Sequence, residues 1–302
     1  MALRTIHGLG PVKLRNLYVD GVCPSELLRS PNLLKGGGKQ VVSLRRQILD
    51  IGEYTLASQE SSFDNQSNRA KELGITLITY GSPYYPPHLL ESGYPVPILF
   101  ARGCLSVLQN RKVVACVGSR RIAEPYSNLH HRVAELAARQ GFAIASGFAL
   151  GADTLGHKAA IDAGGTTIAV MPCGLDRPFP PENKSLWNEL LNCGRAVAIS
   201  ESFIGTRASS LALKKRNKVI VGCSAGVMIS QTSSKGGAMN AYRAAVEQKK
   251  PVATFPDIGC SGVDVTGNVS IAKGSPSLVR VLDVQHGTED VAKWLSMLSS
   301  LT

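Results

Sequence analysis

Short apolar runs alternate with helical patterns through the middle of the chain, from about residue 112 to residue 256. Val113–Val117 is an unbroken apolar run, which is typical of a parallel strand buried on both faces. After it, Leu129, Val133 and Leu136 recur at helical spacing, which predicts a helix that packs one face on the sheet. Repetition of this strand–helix alternation predicts an α/β domain built on a doubly wound, mostly parallel sheet.

Further elements follow from the same alternation. The predicted strands are Phe142–Ala145, Thr166–Met171, Ala196–Ser200, Val227–Ser230 and Val252–Phe255, and the predicted helices are Ala152–Ala163, Glu182–Asn192, Gly237–Gln248 and Glu289–Leu298. Leu211–Gly222 is ambiguous, because its lysines and apolar residues fit one amphipathic helix whereas its β-branched end fits a strand.

The first 60 residues have a helical pattern of their own. We therefore predict a small helical domain over residues 1–62, the α/β core over residues 63–270, and a short C-terminal tail with a terminal helix over residues 271–302. Gln59–Ser67 is polar and is predicted to be a linker. Gly8-Leu9-Gly10 leads into a helix and has the shape of a helix-hairpin-helix turn, whose amides contact a phosphate backbone. A tight turn between packed helices explains the same residues.

The charge balance favours a polyanionic partner. The chain of 302 residues has 33 basic and 22 acidic residues, which gives a formal net charge of +11. Nucleic acid is the leading candidate for such an excess, and a basic surface without a ligand is the alternative. Seven cysteines include no C-x-x-C pair, and several lie in apolar runs, so we predict reduced core thiols and a cytoplasmic location. No apolar run reaches the length of a membrane span, so no membrane association is predicted.

Small and basic residues follow the predicted strands. The carboxyl ends of parallel strands share one sheet edge, where backbone amides and helix starts accept anions, so we predict phosphate binding at this edge. The candidate residues in the loops are Gly118, Ser119, Arg120, Arg121, Ser146, Gly147, Gly151, Ser233, Lys235, Gly236 and Gly237, and the candidate basic residues nearby are Arg207, Lys214, Lys215, Arg216 and Lys218. A solvated helix face is the alternative for the last four.

No residue is assigned a catalytic role. Ser146, Asp153 and His157 are close along the chain, but no G-x-S-x-G elbow surrounds the serine, and Asp153 suits the start of a helix. The sequence has no Walker loop, no G-x-G-x-x-G fingerprint and no His or Cys cluster at metal spacing. We predict a protein without enzymatic activity, metal or cofactor.

An ordered series of short motifs runs through the α/β part, from about Gly74 to Pro256. The motifs are Tyr84–Leu90, Val117–Arg120, Ser146-Gly147-x-Ala149-x-Gly151-x-Asp153, Ala169-Val170, Gly174–Asp176, Pro180-x-Glu182-Asn183, Ser200-Glu201 and Arg216–Lys218. The series resembles the DprA/Smf family of DNA-processing proteins, which bind single-stranded DNA and help to load the RecA recombinase. The helical start resembles the small N-terminal domain of that family.

The resemblance implies a non-enzymatic single-stranded DNA-binding protein with an extended Rossmann-like fold, a small helix-hairpin-helix or SAM-like domain, and a homodimer. It implies a role in DNA processing and recombination, through DNA uptake in competence or through loading of a RecA-like recombinase. It also implies that Leu211–Gly222 is a helix. By the same resemblance, Arg120, the Ser146-Gly147 backbone and the basic residues of that helix line the DNA groove beside Ser233–Gly237.

The chain also departs from the family pattern. Leu150 stands where the family usually has arginine, and Ser209–Lys215 replaces a Phe-Pro approach to Arg216. Some DprA-like proteins are antitoxins in phage-defence or mobile-element cassettes, so an antitoxin with a toxin partner is an alternative. A second alternative is a nucleotide-binding or nucleotide-hydrolysing protein, because related enzymes bind nucleotides at the same sheet edge. Lys235–Met239, however, lacks the glutamate that follows the glycine loop of those enzymes.

Overall fold

A nine-stranded mixed sheet organises the computed structural model, which describes Leu3, residues 6–283 and residues 288–302. The strands are β1 Thr76–Thr79, β2 Ile98–Gly103, β3 Val113–Val117, β4 Ala143–Ser146, β5 Thr167–Val170, β6 Ala196–Ser200, β7 Gly226–Ile229, β8 Val252–Thr254 and β9 Val279–Val281. They lie in the order β1-β2-β6-β5-β4-β3-β7-β8-β9. The β1–β2 and β2–β6 pairs are antiparallel, and the other neighbouring pairs are parallel.

Twelve α-helices are formed by the described residues. They are α1 Pro11–Val19, α2 Pro24–Arg29, α3 Lys39–Leu49, α4 Glu53–Glu72, α5 Pro87–Glu91, α6 Tyr126–Arg139, α7 Ala152–Asp162, α8 Lys184–Asn192, α9 Ser210–Gly222, α10 Ala238–Glu247, α11 Thr266–Ala272 and α12 Glu289–Ser299. None of these helices has both the length and the apolar character that crossing a bilayer requires. The predicted α/β class with a mostly parallel sheet and a helical N-terminal region is confirmed.

The strand order reverses between β3 and β7. Strands β4, β5 and β6 lie on one side of β3, and β7, β8 and β9 lie on the other. Helices α6 and α10, which follow β3 and β7, pack on opposite faces of the sheet. Loops that leave neighbouring parallel strands towards opposite faces separate and open a crevice at the carboxyl edge.

Apolar layers cover both faces of the sheet. Along β3, Val113 and Ala115 face the layer that includes α9 and α10, whereas Val114 and Cys116 face the layer of α6, α7 and α12. This alternation follows from the two-residue period of a strand. Trp294 of α12 is fully buried in the second layer, so the C-terminal helix covers part of the α/β core.

The N-terminal helices enclose a small apolar core of their own. Leu9, Leu27 and Leu44 are buried in it. The Tyr80 hydroxyl donates to the Pro11 carbonyl at 3.2 Å and so links α1 to the end of β1. Helix α4 extends across residue 62, and the division of the chain into three domains stays a prediction.

The predicted linker at Gln59–Ser67 is wrong, because these residues lie inside the 20-residue helix α4. Phe63 and Ala70 of this helix pack on the apolar cluster around β6 and α8. Between them, Gln66 accepts a hydrogen bond from the Ile204 N–H at 2.9 Å. A helix that packs on the protein along so narrow a stripe is polar over most of its surface, and its composition therefore resembles that of a linker.

The ambiguous segment is α9, a helix along its whole length. The Ser209 hydroxyl caps its start by accepting the Ala212 N–H at 3.2 Å. Val219, Ile220 and Val221 are buried against the sheet. Burial of these β-branched residues in the apolar layer outweighs their local preference for a strand.

Candidate functional site

The loops that follow β3, β4 and β7 meet at the carboxyl edge of the sheet, and together with α9 they enclose a cleft of about 900 Å³. Its lining includes nine of the predicted residues, Gly118, Ser119, Arg120, Arg121, Lys214, Arg216, Ser233, Gly236 and Gly237. The cleft lies where the strand order reverses, which is where doubly wound sheets bind ligands.

The loop between β4 and α7 packs tightly against the loop after β3. Gly151 has a φ of +75°, and a Cβ atom there would lie 2.5 Å from the carbonyl oxygens of Ser119 and Arg120. Asp153 fixes the same loop, since its Oδ2 accepts the Ala149 N–H at 3.1 Å. Only glycine combines this backbone conformation with such a close approach, so the two loops act as one wall of the cleft.

The guanidinium of Arg216 lies directly against the backbone of Gly147. A Cβ atom on Gly147 would fall 0.8 Å from Arg216 Nη1, so a larger residue there would displace the guanidinium. Arg216 is 6% exposed, and its Nη1 lies 3.4 Å from Oδ2 of Asp153. No described residue accepts a hydrogen bond from its Nε. Arg216 is therefore a buried cation whose donors are only partly used.

Burial lowers the pKa of the Arg216 guanidinium, and the neighbouring Asp153 carboxylate opposes this effect. Arg120 is close enough to lower the pKa of Arg216 further by charge repulsion. Arginine nevertheless stays charged in proteins. Exposed Arg120, Arg121 and Lys214 add cations at the cleft, with Asp264 as an acidic residue on its lining. The arrangement attracts anions, because they relieve repulsion among the cations and satisfy the unused donors.

The basic residues of α9 do not share one face. Lys214 lines the cleft, whereas Lys215 lines a separate cleft of about 280 Å³ beside the N-terminal helices. Lys218 forms an ion pair with Glu247 at 3.0 Å and lies over the ring of Tyr94. Successive helical residues are rotated by about 100°, so a run of lysines on one helix is divided among different surroundings.

The other predicted residues lie at the edge of the cleft or beneath it. Arg207 is exposed in the loop between β6 and α9, outside the cleft lining. Lys235 is exposed in the loop that contributes Ser233 and Gly236 to the lining. Ser146 is fully buried and donates to the Cys116 carbonyl at 2.6 Å, so its hydroxyl joins β4 to β3.

Ser146, Asp153 and His157 do not form a hydrolytic triad. The ring of His157 is fully buried, and its Nδ1 lies 2.7 Å from the Thr167 hydroxyl oxygen. Burial, and then the charge of Arg216, lower the pKa of His157 to about 3. Among the residues that the structure describes, no three His, Cys, Asp or Glu side chains are grouped as metal ligands.

Polar residues that the sequence analysis did not select also line the cleft. They are Asp153, Ser210, Asn217, Gln231, Thr232, Asn240 and Asp264. The Asn217 side-chain amide donates to the Gly237 carbonyl at 3.3 Å, and the side-chain Oε1 of Gln231 accepts the Ala123 N–H at 2.8 Å. Gln231 and Thr232 follow β7 closely, so the rule that ligands bind after strand ends could have selected them.

The fold and the cleft define a Rossmann-like α/β protein with a cationic, anion-attracting crevice at the carboxyl edge of its sheet. The family model of DNA recombination-mediator protein A matches residues 76–285, and the chain belongs to this family. It is 29% identical over 265 residues to Protein Smf of Synechocystis, covering 85% of this chain and 64% of the relative. It is 30% identical over 186 residues to DNA processing protein DprA of Bacillus subtilis, covering 62% of each chain. The chain thus spans less than two thirds of the length of these relatives.

Solved structures show the same fold. DNA processing protein A of Streptococcus pneumoniae superimposes with a TM-score of 0.72 at 22% identity, covering 97% of this chain and 95% of that chain. DNA processing protein A of Helicobacter pylori, whose structure is described as giving insights into a single-stranded DNA binding mode, superimposes with a TM-score of 0.62. The identity is again 22%, with coverage of 75% of this chain and 96% of that chain.

Proposed function

We propose that the protein binds single-stranded DNA in the cleft and catalyses no reaction on it. The observation that carries this proposal is the buried guanidinium of Arg216, which is paired with a single carboxylate and keeps Nε without a protein acceptor. Arg120 and Lys214 supply further cations at the cleft for phosphate groups. The family and the Helicobacter pylori relative support DNA as the polyanion.

A single strand suits this crevice better than a duplex. A flexible strand can adapt its phosphates to a cationic cleft of about 900 Å³, whereas a duplex is stiff over lengths far larger than this cleft. Phosphate contacts alone give little sequence preference and a strong salt dependence. The polymer bound in the cleft is therefore expected to be a single strand of mixed sequence.

Fluorescence anisotropy with labelled single-stranded and double-stranded oligonucleotides at several salt concentrations tests the proposal. We expect the single strand to bind at least about tenfold more tightly, with an affinity that falls as salt rises. Equal affinity for both forms, or no salt dependence, would refute it. Release of a free base from a panel of nucleotides would refute the non-enzymatic part.

Single substitutions of basic residues should show whether DNA contacts the cleft or the other faces of α9. Arg120→Ala and Lys214→Ala should each weaken single-strand binding about fivefold, and should reduce the salt slope by about 0.7, because one phosphate contact is lost. Lys218→Ala is the matched control and should leave binding unchanged, since Lys218 is paired with Glu247 outside the cleft. Equal losses in all three variants would show that binding depends on net charge alone.

We further propose that the protein passes its DNA to a RecA-like recombinase, acts as a homodimer and resides in the cytoplasm. The recombination-mediator family supports the recombinase, and the buried thiols of Cys116 and Cys223 support a reducing compartment. Pull-down with a purified recombinase and sedimentation analysis test the first two statements. A toxin captured in place of the recombinase would support the antitoxin alternative.

A further inference from the structure

The N-terminal helices carry more positive charge than their length would suggest. Residues 1–50 contain eight basic and three acidic residues, an excess of five, whereas the other 252 residues supply the remaining excess of six. None of these residues lines the cleft of about 900 Å³ at the sheet edge, which we call the first cleft. A concentrated cationic surface outside the described cleft therefore needs its own explanation.

Helix α3 arranges part of this charge as a stripe. Lys39 and Arg46 are seven residues apart and so lie on one face, and both side chains are exposed without an ion pair to any described residue. The adjacent face of α3 holds the turn at Gly8, where Gln47 Oε1 accepts the His7 N–H at 3.0 Å. A Cβ atom on Gly8 would lie 4.0 Å from Gln40 Nε2. The cationic stripe thus borders the turn.

A second cleft, of about 280 Å³, separates this turn from the α/β core. Gly8, Gly10 and Leu14 line it on one side, and Tyr94 and Lys215 line it on the other. Glu201 is the acidic residue on its lining. Because Lys214 faces the first cleft and Lys215 the second, α9 separates two cation-lined spaces.

The turn offers backbone donors to this second cleft. Gly8 and Gly10 are exposed, and no described residue accepts a hydrogen bond from either N–H group. The Lys13 ammonium lies beside them, donating to the Gly8 carbonyl at 2.9 Å. Amide groups that have no acceptor among the described residues, next to the Lys13 ammonium, suit phosphate oxygens, and this supports the choice of a phosphate polymer over an acidic protein.

We propose that a single strand of DNA leaving the first cleft crosses α9 and continues along the second cleft and the α3 stripe, with phosphates near Lys215, Lys39 and Arg46. This inference rests on the proposed function, because the first cleft supplies the strand. It adds an extended path, so the affinity must depend on the length of the strand. An oligonucleotide that fills only the first cleft would not reach the stripe.

The test uses the full chain and labelled oligo-dT of two lengths, about 5 and about 20 nucleotides, at several salt concentrations. The variant is Lys39→Gln/Arg46→Gln. We expect about tenfold weaker binding of the long strand and a salt slope reduced by about 1.4, because two phosphate contacts are lost, with no change for the short strand. The control, Arg139→Gln/Lys273→Gln, removes the same charge from exposed residues near the C-terminal ends of α6 and α11. It should change neither the affinity nor the salt slope for either strand.

Two results would overturn the second cleft and leave the first in place. One is that Lys39→Gln/Arg46→Gln binds the long strand with unchanged affinity and salt slope. The stripe would then not contact DNA, and an acidic protein would be the better candidate for its partner. The other is an equal loss for both lengths, which would show that the cations act without a defined path. If the unmodified protein bound neither strand, the proposed function would fail, and the extended path would fail with it.

Discussion

Replacing Gly147 with alanine should weaken binding of single-stranded DNA by about 30-fold or more. The new Cβ atom would occupy the place of the Arg216 guanidinium, 0.8 Å from Nη1, and force it out of its position against Gly147. A hydrogen bond to a charged group contributes about 2 kcal/mol, which corresponds to the stated loss in affinity. The same displacement separates Arg216 from Asp153 and should lower the free energy of unfolding by about 3 kcal/mol, because it leaves a buried carboxylate without its partner.

Gly52→Ala is the matched control, since no atom lies within 4 Å of its Cβ position and its φ is −66°. It should leave binding unchanged and lower the free energy of unfolding by no more than about 1 kcal/mol, because Gly52 is the N-cap of α4, where glycine is preferred to alanine. Arg216→Lys keeps the charge but loses the planar set of donors, so it should fold and bind about tenfold more weakly. If folded Gly147→Ala and Arg216→Lys proteins, verified by circular dichroism, bound DNA normally, Arg216 would not be part of the DNA site.

Acid should destabilise the protein through two buried histidines, by about 2 kcal/mol each between pH 7 and pH 5. Burial is the largest influence on both and lowers the pKa of His130 to about 4 and that of His157 to about 3, from an ordinary 6.5. Their Nε2 atoms have no described hydrogen-bond partner. Below about pH 6.5 these two histidines bind protons in the unfolded chain but not in the folded chain. The free energy of unfolding therefore falls as the pH falls.

Urea unfolding at pH 7, 6 and 5 measures this effect. His157→Gln and His130→Gln should each flatten the decrease in unfolding free energy by about 2 kcal/mol over this range, whatever their effect at pH 7. His7→Gln is the control, because His7 is exposed, and it should leave the pH dependence as it is. A pH dependence unchanged in both buried variants would mean that other groups cause the acid sensitivity.

The helices and strands depend on local sequence patterns, and most of them could therefore be predicted from the amino-acid sequence. Val113–Val117 must be a buried strand, because its uninterrupted apolar residues require protein on both faces. The polar helix α4 was missed because only a narrow stripe of it contacts the protein. Residues 211–222 could not be assigned from periodicity, because burial of Val219 and Ile220 against a distant part of the chain decides between helix and strand.

The candidate site was predictable only as a sheet edge with glycines and cations. The rule that parallel strands end at one edge brings Gly118, Gly147 and Gly236 into one region. It does not show that Arg216, one of several adjacent cations, enters the protein against Gly147 while Lys215 points to another cleft. The side chains of a helix diverge around its axis, so their surroundings depend on how the helix docks.

The amino-acid sequence by itself determined most of the strands and helices and the positions of the small residues at strand ends, because these depend on residues near one another in the chain. It also determined the excess of positive charge, because that depends on composition alone. The tertiary structure alone decided which cations share a cleft, and that Arg216 is held against Gly147 with Asp153 as its partner. Those contacts join residues far apart in the sequence. Only the docking of α9 on the sheet fixes them, because the strength of an ion pair depends on distance and burial.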